Sequence, residues 1–462
     1  EEYVSDISDN TQDGVLDIRN ELVSTEVRVT KKDARTSKPV PDTTFGFYTK
    51  DNIYDKDGNV ILKAGSKITE VKTDKDGKAI IPFSVPVMGE GYGEKDLPIN
   101  SGDYYFLEEN ISDSYYISEE PIFVHLEYKN QETQIVTAEA KVVNQQTEVE
   151  VDKLMIASSV EIPNCHLKIS DEKGNEIVSW ITGDKDSIIV NEKLEEMGYL
   201  NFEAKMNENG NIKINGLLHD KEYVLTETKP ADGFVSATDI SFMLKLKIEK
   251  ADYLTQILIK ENEKFVPAIS NKLVMYDDTT KIEFSKTEIT GEKEIPGCEL
   301  EVTDKETGRI MDKWTSSKDK HIVEGKYVVG KTYMFTEKRP ASGFATAESV
   351  EFKISDTGNI QQVSMKDDTI KIQFSKIASD TKKLLPGAKY KVLDSKGKKV
   401  CEFTTKKKET ALNGILCAGE TYTFVEQQAP EHYKKAKNVK ITVKDTGKIQ
   451  KIKVVDERIP EV

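Results

Sequence analysis

Hydrophobic and polar residues alternate at period two through much of the chain, as in TEVRVT (25–30), KIEFSK (281–286), VEFKIS (350–355), KIQFSK (371–376), YTFVEQ (422–427) and VKITVK (439–444). Alternation in Val, Ile, Phe, Tyr and Thr predicts half-buried strands. Between them stand DKDGN (55–59), DKDGK (74–78), DEKGN (171–175), SDTGN (355–359) and KDTGK (444–448). A glycine following Asp, Asn or their neighbours supplies the positive backbone torsion of tight hairpins. Helical periodicity is nearly absent. Its one candidate is NEKLEEMGYLNFEAK (191–205), which predicts a short amphipathic helix. The expected fold is all-β, built of Ig-like or prealbumin-like sandwiches of about seven strands each.

The pattern repeats. Lys31, Lys153, Lys286 and Lys376 each precede a proline by ten residues. Glu108, Glu227, Glu337 and Glu426 each end a Y-x-(F/L)-x-E phrase and precede Tyr115, Phe234, Phe344 and Tyr433 by seven residues. Asn144, Asp277 and Asp367 each fall nine residues before the next lysine, and Asp456 closes the last copy. Self-similarity of this kind means an array of units. The register divides the chain into a linker or remnant of a preceding domain (1–22) and four repeats: 23–147, 148–279, 280–370 and 371–462. Trp180, Trp314 and Phe403 lie 27 or 28 residues after their lysines and read as core.

Repeats three and four follow a minimal plan. Repeat two carries about twenty extra residues on each side of its glutamate, one stretch containing 191–205 and the other ADYLTQILIKENEKFVPAIS (251–270). Repeat one is enlarged at the glycine-rich VPVMGEGYGEKDLP (85–98). Insertions on a repeat scaffold map to loops, where binding is commonly added; longer hairpins are the plainer reading.

Length alone, 462 residues, requires several domains. Hydrophobic content of 37% against 32% charged leaves each repeat a thin core in want of a staple. Four cysteines cannot staple every repeat. Cys165 and Cys298 hold one repeat position, twelve residues after the lysine, where repeat four has Ala388, and read as small buried strand residues. Cys401 and Cys417 share repeat four and could pair, although spacing does not establish disulfide geometry. A net charge of −15 argues against nucleic acid, whose phosphates demand a basic face. No apolar run is long enough to span a membrane. The five histidines form no motif, no cofactor signature appears, and the DKDGN turns lack the final glutamate of a calcium loop, so neither cofactor nor metal is expected. The ends read as cut from a longer protein, with any anchoring signal beyond residue 462.

If the first and last strands of a sandwich are neighbours, the recurring lysine, glutamate and Asp or Asn meet inside one core. Desolvation lowers an amine's pKa and raises a carboxyl's, so a neutral amine and a protonated acid can coexist near neutrality. The amine can attack the side-chain carbonyl of Asp or Asn while the glutamate relays protons to the leaving group. The product is an isopeptide bond. A solvated charge is the ordinary reading of any one of these residues, and a buried unreacted ion pair is the alternative for the set; fourfold recurrence favours the reaction.

The phrases KIEFSKTEITGEKEIPG, KTYMFTEKRPASGF, VEFKISDTGNI and VSMKDDTIKIQFSK resemble the CnaB or SpaA-like domains of Gram-positive surface adhesins and pilins. TETKPADGF and VEQQAPEHY are similar to that family's E-box; LEENISDSYY in repeat one lacks its proline and glycine. The resemblance implies a prealbumin-like sandwich with a self-formed, glutamate-promoted Lys-to-Asp/Asn bond. Carried over by position, the sets are Lys31, Glu108, Asn144; Lys153, Glu227, Asp277; Lys286, Glu337, Asp367; and Lys376, Glu426, Asp456. Lys32 and Glu109 compete in repeat one, disfavoured by strand register alone. The pilin lysine motif, a sorting signal and the CxQ phrase of thioester domains are not found, which puts a shaft-forming pilin in doubt. The implied role is an extracellular, cell-wall-anchored stalk or adhesin segment that is no turnover enzyme. Its expected partners are the cell wall, through an unseen C-terminal sorting signal, and a host protein or glycan if the inserted loops of repeats one and two bind.

Overall fold

The computed structural model describes residues 3–10, 15–22, 24–54, 57–81, 84–86, 96–98, 102–127, 135–156, 158–249 and 252–460. The chain divides into two compact bodies, residues 1–231 with 237–277, and residues 232–236 with 278–462. Both are built of β-sheets, and a three-residue 3-10 turn at Ile269–Asn271 is the one helical element among the described residues.

The second body shows the plan most simply. Lys281–Glu288 lies between His321–Glu324 and Ile360–Asp367 in a three-stranded sheet. Ile310–Thr315, Glu299–Asp304, Thr332–Arg339 and Val350–Lys353 form a four-stranded sheet. Phe284, Leu300, Val302, Tyr333 and Phe335 fill the space between them. Residues 372–456 repeat the arrangement with a three-stranded and a four-stranded sheet, seven strands as the alternation predicts. The decisive feature is the parallel pairing of first and last strands. Lys286 lies opposite Met365 and Lys376 opposite Val454, so each aspartate sits two residues past its lysine's partner and on the same face.

In the first body, Ser24–Asp33 pairs in parallel with Ile135–Asn144, and Glu148–Met155 with Leu273–Asp277. Residues 3–10 and 15–22, expected as a linker or remnant, pair as an antiparallel ladder. The predicted helix over 191–205 does not form. A single turn closes through the Met197 N–H to Lys193 O bond, and then Gly198 (φ 92°) and Asn201 (φ 52°) turn the backbone left-handed, which no continuing α-helix permits. Leu194 and Tyr199 are buried regardless, and Glu203–Met206 is a strand. The second insertion is a hairpin, Asp252–Glu261 with Lys264–Pro267, which widens its sheet to seven strands. The glycine-rich stretch of repeat one, residues 87–95, lies outside the described residues; its flanks Ser84–Pro86 and Asp96–Pro98 pair.

Cys165, Cys298 and Ala388 are fully buried, as their shared position predicts. Trp180 is core, while Trp314 and Phe403 pack half-buried against theirs. Cys401 and Cys417 are not joined: Cys401 sits on the strand Lys399–Thr404, whereas the Cys417 thiol contacts Ser342 Oγ at 3.1 Å.

Candidate functional site

In each repeat the lysine and the Asp or Asn come from the sheet holding the first and last strands, and the glutamate reaches them from the facing sheet. Alternation along Thr332–Arg339 buries Tyr333, Phe335 and Glu337 together, and the same pattern recurs at Glu108, Glu227 and Glu426. All twelve side chains predicted for the site are buried. Lys32 and Glu109 are exposed, Glu109 being held by Tyr48 at 2.5 Å and Lys67 at 2.7 Å, so Lys31 and Glu108 are the inward pair.

In repeat three, Lys286 Nζ bonds Asp367 Oδ1 and lies 3.1 Å from Glu337 Oε1. Repeat two matches it, Lys153 Nζ bonding Asp277 Oδ1 at 3.0 Å from Glu227 Oε1. Neither glutamate contact has hydrogen-bond alignment, and both Oε1 atoms are otherwise unpartnered. In repeat four, Lys376 Nζ bonds Asp456 Oδ1, Glu426 Oε2 at 3.1 Å and the Tyr390 hydroxyl at 2.8 Å. Repeat one is arranged differently. Glu108 stands between the partners, accepting from Lys31 Nζ on Oε1 at 2.5 Å and from Asn144 Nδ2 on Oε2 at 2.6 Å. Asn144 Nδ2 also donates to the Tyr116 carbonyl.

Burial raises the Asp277 carboxyl to about 7 and those of Asp367 and Asp456 to about 6, against the opposing pull of each lysine. Burial likewise brings the Lys31 ammonium down to about 8, against the raising pull of Glu108. These shifts favour the neutral amine and the protonated acid that nucleophilic attack requires. Cys165 and Cys298 complete two clusters of metal-type donors with the neighbouring carboxylates. In each, a lysine Nζ already contacts both acids, so the clusters belong to the lysine site.

A sequence model of the SpaA prealbumin-like fold domain matches residues 25–141, 280–369 and 370–458. The chain belongs to this family. Residues 142–279 lie outside the matched segments, yet Lys153, Glu227 and Asp277 make the same contacts there as Lys286, Glu337 and Asp367. No curated protein matches the chain. Solved structures similar to it include the Bacillus anthracis TIE protein, at 14% identity over 99% of this chain and 76% of that one, TM-score 0.34. The major pilin SpaD of Corynebacterium diphtheriae is similar at 11% identity over 75% of this chain and 97% of that one, TM-score 0.30. The shaft pilin SpaA of Lactobacillus rhamnosus GG is similar at 16% identity over 40% and 99%, TM-score 0.23. The SpaA-type fold itself supports a structural, pilus-type surface protein. No helix among the described residues is long and apolar enough to cross a membrane.

Sequence reasoning missed the groups that hold the glutamates. Ten residues after each one, a backbone N–H donates to Oε2: Ser118 at 2.8 Å, Ala237 at 2.8 Å, Ala347 at 2.7 Å and Ala436 at 2.7 Å. The recurring aromatic was the available signal. Tyr115, Phe234, Phe344 and Tyr433 each form a β-bridge to the residue two past the Asp or Asn.

Proposed function

We propose that the chain is a stalk segment of a cell-wall-anchored adhesin or pilus-type protein, with repeats at 23–147, 148–279, 280–370 and 371–462. Each repeat is locked by an autocatalytic Lys-to-Asp/Asn isopeptide bond. One observation carries this reading: a buried lysine Nζ in direct contact with a buried aspartate on the adjacent parallel strand, within reach of a buried glutamate, three times over. A buried ion pair is a poor stabiliser, because desolvation offsets most of the attraction, so its recurrence calls for chemistry.

Lys286 Nζ, once neutral, attacks Cγ of protonated Asp367. Glu337 takes the amine proton and returns it to the departing hydroxyl, so one N–C bond forms, one C–O bond breaks and water leaves. Lys153 with Asp277 and Lys376 with Asp456 react alike, through Glu227 and Glu426. In repeat one Lys31 attacks Asn144 and ammonia leaves, the Asn144 amide nitrogen already bonded to Glu108. In repeats two to four, holding both partners in contact supplies much of the rate. Tension would pass from the first strand through the bond to the last strand, and then along nine residues to the next lysine.

Single-molecule stretching tests the mechanical role. Wild type should show no unfolding step, while Lys286→Ala should release the 81 residues between Lys286 and Asp367, a lengthening of roughly 25–30 nm less the folded end-to-end distance. Comparable steps in wild type would remove the load-bearing role.

The alternative, an adhesin region binding host protein or glycan, draws on an apolar groove beside the second insertion. Its volume is about 590 Å³, it is lined by Leu154, Ile240, Ile259, Val274 and Tyr276, and Ile269 is 87% exposed at its rim. Ile269→Asp should abolish host-cell retention under that reading and leave it unchanged under the stalk reading.

A further inference from the structure

Repeat one lacks the E-box proline and glycine. Ile111 and Ser114 stand where repeat three has Pro340 and Gly343 (φ 87°). Proline presets its backbone and glycine takes left-handed torsions freely, so together they reduce the freedom a loop must lose. The loop of repeat one has neither, yet its two tyrosines are buried, Tyr115 being 1% exposed and Tyr116 3%.

The fastening comes from repeat two, within the first body. From the first insertion, Asn201 Nδ2 donates to the Tyr115 hydroxyl at 2.8 Å and to Pro39 O at 3.1 Å. Leu200 packs on Val40, Ile111 and Tyr115, and its carbonyl accepts from Gln146 Nε2 at 2.8 Å. From the second insertion, Thr255 Oγ1 shares a buried 2.7 Å hydrogen bond with the Tyr116 hydroxyl and accepts the Glu148 N–H at 2.9 Å. The residues matching Tyr116 elsewhere are Val235, Ala345 and Lys434. None of these carries a ring hydroxyl to be held in this way.

Tyr116 is also the residue whose carbonyl receives Asn144 Nδ2, and Ser118 two residues on donates to Glu108 Oε2. Thr255 and Asn201 of repeat two therefore hold the loop that orients both the leaving amide and the proton relay of repeat one. We infer that the two insertions complete the crosslinking centre of repeat one, with Thr255 and Asn201 as positioning residues, so that the Lys31–Asn144 bond forms efficiently only against a folded repeat two. The inference rests on the crosslinking function proposed above and gives the insertions a role inside the chain.

The test uses the full 462-residue chain, recovered unfolded and unreacted, then refolded and sampled over time by proteolysis and peptide mass mapping. Thr255→Val with Asn201→Ala should slow the Lys31–Asn144 crosslink by about ten- to a hundredfold, the scale on which small misplacements act. The three Lys–Asp crosslinks should form at wild-type rates. Thr255→Ser, which keeps the hydroxyl, should restore the rate, and Tyr116→Phe, which lies in repeat one, should slow it like Thr255→Val. Loss of the Lys153–Asp277 crosslink would report a damaged repeat two, in which case Tyr116→Phe decides. If the variants form the repeat-one crosslink at the wild-type rate, the positioning role is wrong while the crosslinking function stands. If wild type itself yields no Lys31–Asn144 peptide, the crosslink of repeat one falls, and this inference with it.

Discussion

Lys286 and Asp367 lie on adjacent parallel strands, offset by two residues, with Nζ on Oδ1 and Met365 opposite the lysine. The offset places both side chains on the inner face, where the lysine's reach spans the diagonal. Lys153 with Asp277 and Lys376 with Asp456 repeat it.

Glu337 lies 3.1 Å from Lys286 Nζ and is aimed by the Ala347 N–H. Glu337→Ala should leave repeat three folded but uncrosslinked, raising the intact mass by about 18 Da beyond the substitution itself, the one water retained. A crosslink that persists in this variant would remove the glutamate from the mechanism.

Lys286→Ala removes the closure of an 81-residue loop, worth about 4–5 kcal/mol by the chain-entropy estimate used for disulfides. It also strands Asp367 and Glu337 in the core without their cation. Repeat three should then melt first and be cleaved first in limited proteolysis. Resistance equal to wild type would mean that the bond contributes nothing.

The Asp and Asn repeats should respond differently to pH as they react. Attack on Asp367 needs its proton, which is lost as pH rises through about 6. Attack on Asn144 needs neutral Lys31, which appears as pH rises through about 8. Attack on Asp367 also needs a neutral Lys286, and each step in pH that strips the acid frees the amine in proportion. Between pH 6 and 9 the rate should therefore rise for repeat one and change little for repeats two to four, read from peptide mass against time after refolding. A carboxyl held at about 6 in the fold and near 3.8 when unfolded binds more protons folded, so unreacted repeat three loses stability as pH climbs from about 4 to 6. Chemical denaturation at pH 4 and pH 7 would show it.

Cys298 Sγ lies 3.9 Å from Asp367 Oδ2, but burial pushes the thiol up to about 11, so it is no competing nucleophile. Repeat four manages with Ala388 at the same position. Cys298→Ala should keep the crosslink and cost about 1 kcal/mol for the small cavity. A missing crosslink would assign the thiol a part in the reaction.

The inward Lys31 and the outward Lys32 were separable in advance, because alternation along TEVRVTKK assigns opposite faces. Glu337 was legible for the same reason, sharing a face with Tyr333 and Phe335. The stretch 191–205 misled because its apolar residues follow a helical period, whereas the left-handed Gly198 and Asn201 and the contacts of Leu200 with repeat one decide its path. Such contacts cross between repeats and leave no local pattern. The Ala347 amide that aims Glu337 was invisible for another reason: a backbone N–H has no letter in the sequence.

The intact mass of the purified chain tests the central claim most directly. Three waters and one ammonia lost predict a deficit of about 71 Da against the sequence mass. The full calculated mass would show four unreacted triads and contradict the account.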